Sequence, residues 1–185
     1  MTDQVLTRAQ LDAIFQPLTA SLTGMDPNGG ARLKWQTNGA PGWRHTDDVV
    51  ALGIFPSDEP IIQPRDTNYA GASGDGVNLN VQASYSRVHL VQWTFYGPNG
   101  YDNAEVLRNG LYGQAARDTL AASNLFMVLQ VAAVVRLPEL RNGGWWERAD
   151  LSARFNESVV RYGIVPYLAS ADITVIDDSG DTEVI

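Results

Sequence analysis

The chain has 185 residues, 44% of them hydrophobic, and it contains no cysteine. This length suits one domain with a sizeable core, and the lack of cysteine excludes disulfides, thiolate metal sites and cysteine nucleophiles. The formal net charge of −8 argues against a protein that grips nucleic acid through its phosphates, which requires clustered lysine and arginine. An acidic surface suits a channel wall past which DNA slides, and equally an ordinary soluble protein.

The amino terminus lacks the basic start and the apolar run of a secretory signal. No apolar stretch approaches the roughly 20 residues that a bilayer-spanning helix needs. We therefore expect a soluble, unprocessed chain that is made in the cytoplasm and has no membrane partner.

A first helix is predicted to begin at about Arg8, because Thr7 and Gln10 have the spacing of a capping box. Pro17 is expected to kink or divide this helix, since proline removes a backbone donor, and Gly24 is expected to end it. Apolar residues at three- and four-residue spacing predict one buried stripe: Leu11, Ile14, Phe15, Leu18 and Leu22.

The next part of the chain alternates between loops and strands. Residues 24–48 are rich in Gly, Pro, Asn and Asp and are expected to be irregular or short-stranded, and residues 49–55 form an apolar run typical of a buried strand. Residues 62–76 are predicted to be a flexible surface loop. Their glycines do not form a phosphate loop, because the closing Gly-Lys-Ser/Thr is missing.

From residue 77 the chain alternates apolar and polar residues to 86, which predicts a half-buried strand. Residues 88–96 are almost entirely apolar and aromatic, as expected of a strand covered on both faces or at a subunit contact. A second helix is predicted from Asp102, with Glu105 three residues on, to about Ala122. Its expected stripe is Leu107, Leu111, Ala115 and Leu120.

A long hairpin is predicted in the last third, with residues 142–144 as its loop. In this register Leu137 opposes Ala149, and each apolar residue of 131–137 meets an apolar residue of 149–155. Arg136 would then face Asp150 on the other side of the sheet. After Glu157 the apolar parity shifts, which predicts a bulge or bend before Pro166.

This element order predicts an α+β fold with a mainly antiparallel, mixed sheet and helices packed on one face. One domain is expected over residues 1–176, followed by a flexible acidic tail over 177–185.

The catalytic options are few. His45, Asp47 and Asp48 could reach one metal, but the same spacing is typical of a polar turn, and His89 lies within a strand where it is expected to be packed or at an interface. The serines have no nucleophile-elbow pattern, and the acidic residues after Asp177 lack the alternating ligands of a calcium loop. We predict no catalytic residues, no cofactor and no metal.

Aromatic and arginine residues supply the candidate contact surface, because exposed side chains of these types concentrate binding energy at interfaces. A regular hairpin would turn at least one of the two adjacent tryptophans outward. The interface candidates are Trp93, Tyr96, Trp145, Trp146, Arg148 and Tyr162.

Three segments carry a resemblance to a known family: residues 87–98 (RVHLVQWTFYGP), 136–140 (RLPEL) and 145–151 (WWERADL). Over about residues 45–176 the chain resembles the neck-terminator-like proteins of tailed phages, which are similar to tail terminators. The resemblance implies a ring of copies, usually six, in the virion. Its implied partners are the tail tube protein, the neck or head–tail connector protein and a sheath protein, and its lumen would pass DNA without reading its sequence.

Alternative functions stay open. Another head–tail connector or neck component belongs to the same class. A small accessory ligand-binding domain predicts a monomer with an apolar pocket, and an enzyme predicts a pocket around His45.

Overall fold

A computed structural model of the chain describes residues 2–35, 42–72, 74–75, 77–141 and 143–166, together with the backbones of 174–176 and 182–184. The α+β class is confirmed. The helices of the described residues are α1 (Arg8–Thr23), α2 (Gly100–Leu111) and α3 (Gln114–Ala121), together with a 3₁₀ turn at Pro60–Ile62. The strands are β1 (Ala31–Leu33), β2 (Val49–Ser57), β3 (Asp66–Ala72), β4 (Asn78–Tyr96), β5 (Leu125–Met127), β6 (Val135–Arg136), β7 (Glu139–Arg141), β8 (Gly144–Trp146), β9 (Arg148–Pro166), β10 (Thr174–Ile176) and β11 (Thr182–Val184).

Two strands of 19 residues, β4 and β9, form the centre of the sheet. They pair antiparallel without interruption, from Asn78 opposite Pro166 to Tyr96 opposite Arg148. The main sheet has the order β1-β2-β4-β9-β5, and β3 and β6 pair with β4 and β9 respectively. Because β1 runs parallel to β2 while β4 runs antiparallel to its neighbours, the sheet is mixed but mainly antiparallel.

The core lies on one face of this sheet. Trp93 of β4 pairs with Leu52 of β2 on one side and with Leu151 of β9 on the other, so alternate residues of three strands supply one apolar surface. The helices cover that surface. Phe15 of α1 meets the ring of Phe155 edge to face, with the ring centroids 4.8 Å apart.

The prediction for α1 is confirmed at both ends. Thr7 and Gln10 form the reciprocal capping box, and Gly24 ends the helix at φ +71°, a left-handed conformation that glycine adopts without a steric cost. The prediction that Pro17 could divide the helix is wrong, because α1 runs through it as one element. Burial of Leu11, Phe15 and Leu18 against the sheet outweighs the one missing hydrogen bond.

The second predicted helix is two helices. Helix α2 begins at Gly100 rather than Asp102, and the chain breaks at Tyr112 and Gly113 before α3. The break rotates α3, so Ala116 is buried in place of the predicted Ala115. Gly110 lets α2 approach α1 closely, since a Cβ at this position would lie 3.1 Å from Leu22.

The prediction of a surface loop over 62–76 is wrong, because residues 66–72 form β3, which pairs with β4 from Asp66 opposite Ser84 onward. All seven residues of β3 are exposed. A strand exposed on both faces has no alternation of apolar and polar residues, so it leaves no periodic signal.

The predicted hairpin register is wrong by one residue. Ala149 pairs with Arg136, not with Leu137, and Arg141 pairs with Gly144, so the connection has two residues, 142 and 143. Gly143 has φ +77°, as such tight turns require, and Asn142 lies outside the described residues. Turn geometry therefore decides the register rather than apolar matching.

The upstream half of this hairpin is largely irregular. Val131 reaches the core from a segment outside the named strands, whereas Val135 and Leu137 stay exposed. Arg136 pairs with Glu147, not with Asp150, through two bonds of 2.9 and 2.6 Å.

The predicted bulge after Glu157 is wrong, because β9 keeps one register against β4 as far as Pro166. Strand β10 pairs antiparallel with β11, and β11 lies within the predicted tail. Residues 177–181 and 185 lie outside the described residues. The single domain over 1–176 and the flexible tail over 177–185 stay predictions.

Gly97 provides a first test of the turn between β4 and α2. Its φ is +105°, and a Cβ added there would lie 2.6 Å from the carbonyl oxygen of Asp47. Gly97→Ala should lower the free energy of unfolding by about 2–3 kcal/mol, measured by urea denaturation. Gly163→Ala is the matched control, because its Cβ would meet nothing within 4 Å. Equal stability of both variants would show that the turn relaxes without cost.

Candidate assembly surfaces

The structure separates the six interface candidates. Trp93 is only 1% exposed, its indole Nε1 donates a 2.9 Å hydrogen bond to Thr19 Oγ1, and its ring packs near Phe155. The prediction of Trp93 as an interface residue is therefore wrong, since a core side chain cannot contact a second protein while the domain stays folded. An aromatic run gives no indication of which rings face inward.

Four other candidates lie at one end of the sheet. Tyr96 and Arg148 are directly paired across β4 and β9, and Trp145 and Trp146 lie in the adjoining strand β8. Tyr162 lies fourteen residues along β9 from Arg148, roughly 45 Å away for an extended strand. We call the first group, Tyr96, Trp145, Trp146 and Arg148, the hairpin-end surface.

Arg148 links the β7–β8 hairpin to the main sheet. Its Nε and Nη2 donate to the two carboxylate oxygens of Asp150 at 2.9 and 2.7 Å, and its Nη1 donates to Glu139 of β7 at 3.0 Å. The hydrogen bond to Asp150 is the main cause that raises the pKa of Arg148, so the guanidinium stays charged at every pH at which the protein is folded. A planar fork between two carboxylates holds the base of the hairpin in one orientation.

The hairpin presents an apolar pair to solvent. Trp145 is 72% exposed and pairs directly with Leu140, which is also exposed. Trp146 points to the other side, where the guanidinium of Arg141 lies 5.5 Å from its ring and His45 lies 6.3 Å away. The expectation that one of the two tryptophans faces outward is confirmed by Trp145.

Tyr96 lies at the base of the same surface. Burial raises the pKa of its phenol, and the nearby carboxylate of Glu139 raises it further. The ring of Trp43 packs 5.8 Å from that of Tyr96. Both rings are half-buried, so Tyr96 supports the hairpin-end surface more than it contributes exposed area to it.

The hypothetical metal site at His45 is occupied by turn contacts. Asp47 accepts from the Arg44 amide at 2.9 Å, and Asp48 accepts from the Asn99 amide and side chain at 3.0 and 2.8 Å. Over the part of the chain that is described, no three His, Asp or Glu side chains are placed to hold a metal ion. Asp47 closes the turn before β2, and Asp48 holds this turn against Asn99 at the start of α2.

His89 belongs to a buried charged cluster with Glu157, which is 1% exposed. The Glu157 carboxylate accepts from Arg87 at 2.6 and 3.0 Å, from the Leu6 amide at 2.8 Å and from His89 Nε2 at 2.7 Å. Burial raises the pKa of Glu157, but the bonds from His89, Leu6 and Arg87 outweigh it and hold the pKa below its ordinary value. With these donors around it, the carboxylate ties the segment before α1 to the sheet.

Sequence reasoning missed several exposed apolar residues. Leu140, Tyr69 and Leu129 are all more than half exposed. Each lies in a strand or irregular segment whose spacing of apolar residues does not predict which side chains face solvent. For Leu140, its position directly across a two-residue turn from Trp145 would have indicated an exposed pair.

The fold is an α+β domain with an exposed apolar hairpin tip, and the charged residues Arg136, Glu147, Arg148 and Asp150 beside that hairpin form ion pairs. A family model for the phage neck terminator protein matches residues 9–184. The chain belongs to this family and is a structural protein of the phage neck. A search of curated proteins finds no match. No helix within the described ranges has the length and apolarity to cross a membrane.

The buried cluster gives a prediction for stability. Glu157→Gln removes the charge that faces Arg87 and His89 and should lower the free energy of unfolding at pH 7 by about 2–4 kcal/mol. The measurement is urea denaturation. Glu147→Gln is the control, because its ion pair with Arg136 is exposed and should change stability far less.

The same substitution predicts a pH dependence. The pKa of Glu157 is lower in the folded chain than its ordinary 4.5. Its contribution to the free energy of unfolding is therefore complete above about pH 4.5 and is lost as pH falls through the folded pKa. Between pH 5 and pH 3 the wild type should therefore lose more stability than Glu157→Gln. Parallel pH curves would contradict this role.

The Arg148 fork can be tested with a substitution that keeps the charge. Arg148→Lys cannot bridge Asp150 and Glu139 with the same geometry and should speed amide hydrogen exchange in β7 and β8, at a cost of about 1 kcal/mol. Arg154→Lys in the same strand, which changes one exposed ion pair with Glu59, is the control. Unchanged exchange in the hairpin would show that packing alone holds it.

Proposed function

We propose that this chain forms a ring of copies, six in number, at the head-proximal end of a phage tail tube. The ring caps the tube and joins it to the neck or head–tail connector, and its lumen lets DNA pass. The observation that carries the proposal is the family match over residues 9–184. The role is structural rather than catalytic, and its place is the virion.

Charge supports this role. The chain carries a net charge of −8, and DNA slides past an acidic wall without the phosphate contacts that would hold it. A ring also needs a head-to-tail contact between two different surfaces of one subunit. The exposed apolar side chains lie on more than one part of the sheet, as such a contact requires.

The hairpin-end surface supports a contact with a second kind of neck or tail protein. Exposed tryptophan is a common anchor of protein interfaces, and Arg148 holds the hairpin that presents Trp145 beside Leu140. The tail tube protein and the connector protein are the proposed partners, and a sheath protein is a further one in contractile tails.

Light scattering and negative-stain imaging of the purified chain, alone and with isolated tail tubes, test the proposal. We expect rings with a mass of about 120 kDa, six times the 20.2 kDa chain, and rings bound at tube ends. A chain that stays monomeric and leaves tube ends bare would overturn the terminator role. It would favour a small ligand-binding domain.

A double variant tests the partner surface. Leu140→Ser with Trp145→Ser should leave folding and ring mass unchanged, because both side chains are exposed, but should weaken binding to the tube or to the connector at least tenfold. Co-sedimentation with each partner is the measurement. Val106→Ser, an exposed apolar residue on α2, is the control. Unchanged binding to both partners would exclude the hairpin tip from either contact.

A further inference from the structure

One part of the sheet extends beyond the helices. Strand β3, with residues 78–86 of β4 and residues 158–166 of β9, forms three strands that continue the central ladder, and we call this part the arm. Tyr69 pairs with Val81, and Leu79 pairs with Val165, so these side chains share one face. By the same alternation this face is continuous with the face that forms the core.

The arm has the sequence pattern of a sheet with one buried face, but neither of its faces is fully buried. Residues 79–85 of β4 alternate apolar and polar, yet every residue of β4 from 78 to 87 is half-buried and all of β3 is exposed. Arg65 covers Tyr85, with its guanidinium carbon 4.0 Å from the ring centroid. The 3₁₀ turn at Pro60–Ile62 contacts β4, yet Tyr69 is 61% exposed and Leu79 and Val81 are only half-buried. A small sheet with one apolar face needs a second layer to be stable.

A second open apolar surface lies beside α3 and β5. It is a groove of about 280 Å³ lined by Arg117 and six apolar side chains, among them Leu125, Phe126 and Leu129. Leu129 is 72% exposed and Phe126 is half exposed. Strand β5 lies at one edge of the main sheet, whereas β3 lies beyond β4 at the other edge.

The proposed ring makes another copy of the same chain the occupant, because a head-to-tail contact joins two different surfaces of one subunit. Copies that each carry −8 repel one another, so they approach at least cost through surfaces without free carboxylates. The lining of the groove contains no carboxylate among the described residues. On the arm, Arg161 is already paired with Asp3 at 3.2 Å. Both surfaces are therefore largely apolar on an acidic protein, and the groove adds one cation, Arg117.

We propose that the apolar face of the arm, with Tyr69 at its edge, packs into the α3–β5 groove of the neighbouring copy. The two surfaces differ and lie at opposite edges of the sheet, so the contact is head-to-tail and repeats from copy to copy until the ring closes. This contact rests on the proposed ring and specifies which surfaces build it.

Two variants, each damaging one surface, test the contact in the full-length chain. Tyr69→Asp damages the arm and Leu129→Asp damages the groove, and each places a carboxylate in an apolar contact without disturbing the fold, since both side chains are exposed. By light scattering, each variant alone should self-associate at least tenfold more weakly than wild type. Val106→Asp, on the exposed face of α2, should form rings of wild-type mass.

Mixing the two variants gives the decisive result. The intact groove of the Tyr69→Asp chain can receive the intact arm of the Leu129→Asp chain, so the mixture should form heterodimers of about 40 kDa and nothing larger. A mixture that stays monomeric, or single variants that form wild-type rings, would overturn this contact while leaving the proposed ring in place. A wild-type chain that stays monomeric in solution and on tail tubes would overturn both.

Discussion

The unbroken ladder between β4 and β9 is the constraint on which the other features depend. Nineteen residues of each strand keep one register, so a side chain on the core face at one end shares that face with side chains at the other end. The helices cover only one half of this face. The ladder therefore continues as an arm whose apolar face is only partly covered, and the same pairing sets the hairpin-end surface at the opposite end of the sheet.

The cluster around Glu157 lies where the covered half of the ladder meets the arm. Arg87 and Glu157 are direct cross-strand partners, and His89 is two residues further toward the core on β4. A buried carboxylate at this point is stable only because guanidinium, imidazole and amide donors surround it. The cluster fixes the chain before α1 on the sheet, and it makes that attachment sensitive to acid.

The two ends of the ladder differ in how their surfaces are held. At one end Arg148, forked between Asp150 and Glu139, orients a two-stranded hairpin with a tryptophan at its tip. At the other end, backbone pairing extends the arm, and the contacts of Arg161 with Asp3 and of Arg65 with Tyr85 support it. For the proposed ring, this arrangement separates the arm, which contacts a neighbouring copy, from the hairpin-end surface, which contacts a different neck or tail protein.

Much of this protein was determined by local sequence. The capping box at Thr7 and Gln10, the end of α1 at Gly24, the strand at 49–55, the outward tryptophan and the α+β class all follow from patterns within a few residues of one another, because capping and alternation are local effects. The resemblance carried by residues 87–98 and 145–151 indicated the family. Packing against the sheet depends on residues that are distant in the chain. This packing keeps α1 continuous through Pro17 and makes Trp93 a core residue.

Pairing between distant strands decided the rest. Strand β3 has no apolar pattern of its own and exists because β4 offers it a backbone partner, and the hairpin register follows a two-residue turn rather than the matching of apolar residues. The surfaces at Tyr69 and Leu129 could be identified only from the fold, which shows which apolar side chains lie outside the core. The sequence by itself thus determined the fold class, the first helix and several strands, and it indicated the family. The tertiary structure decided strand β3, register, burial and contact surfaces, because these depend on residues far apart in the chain.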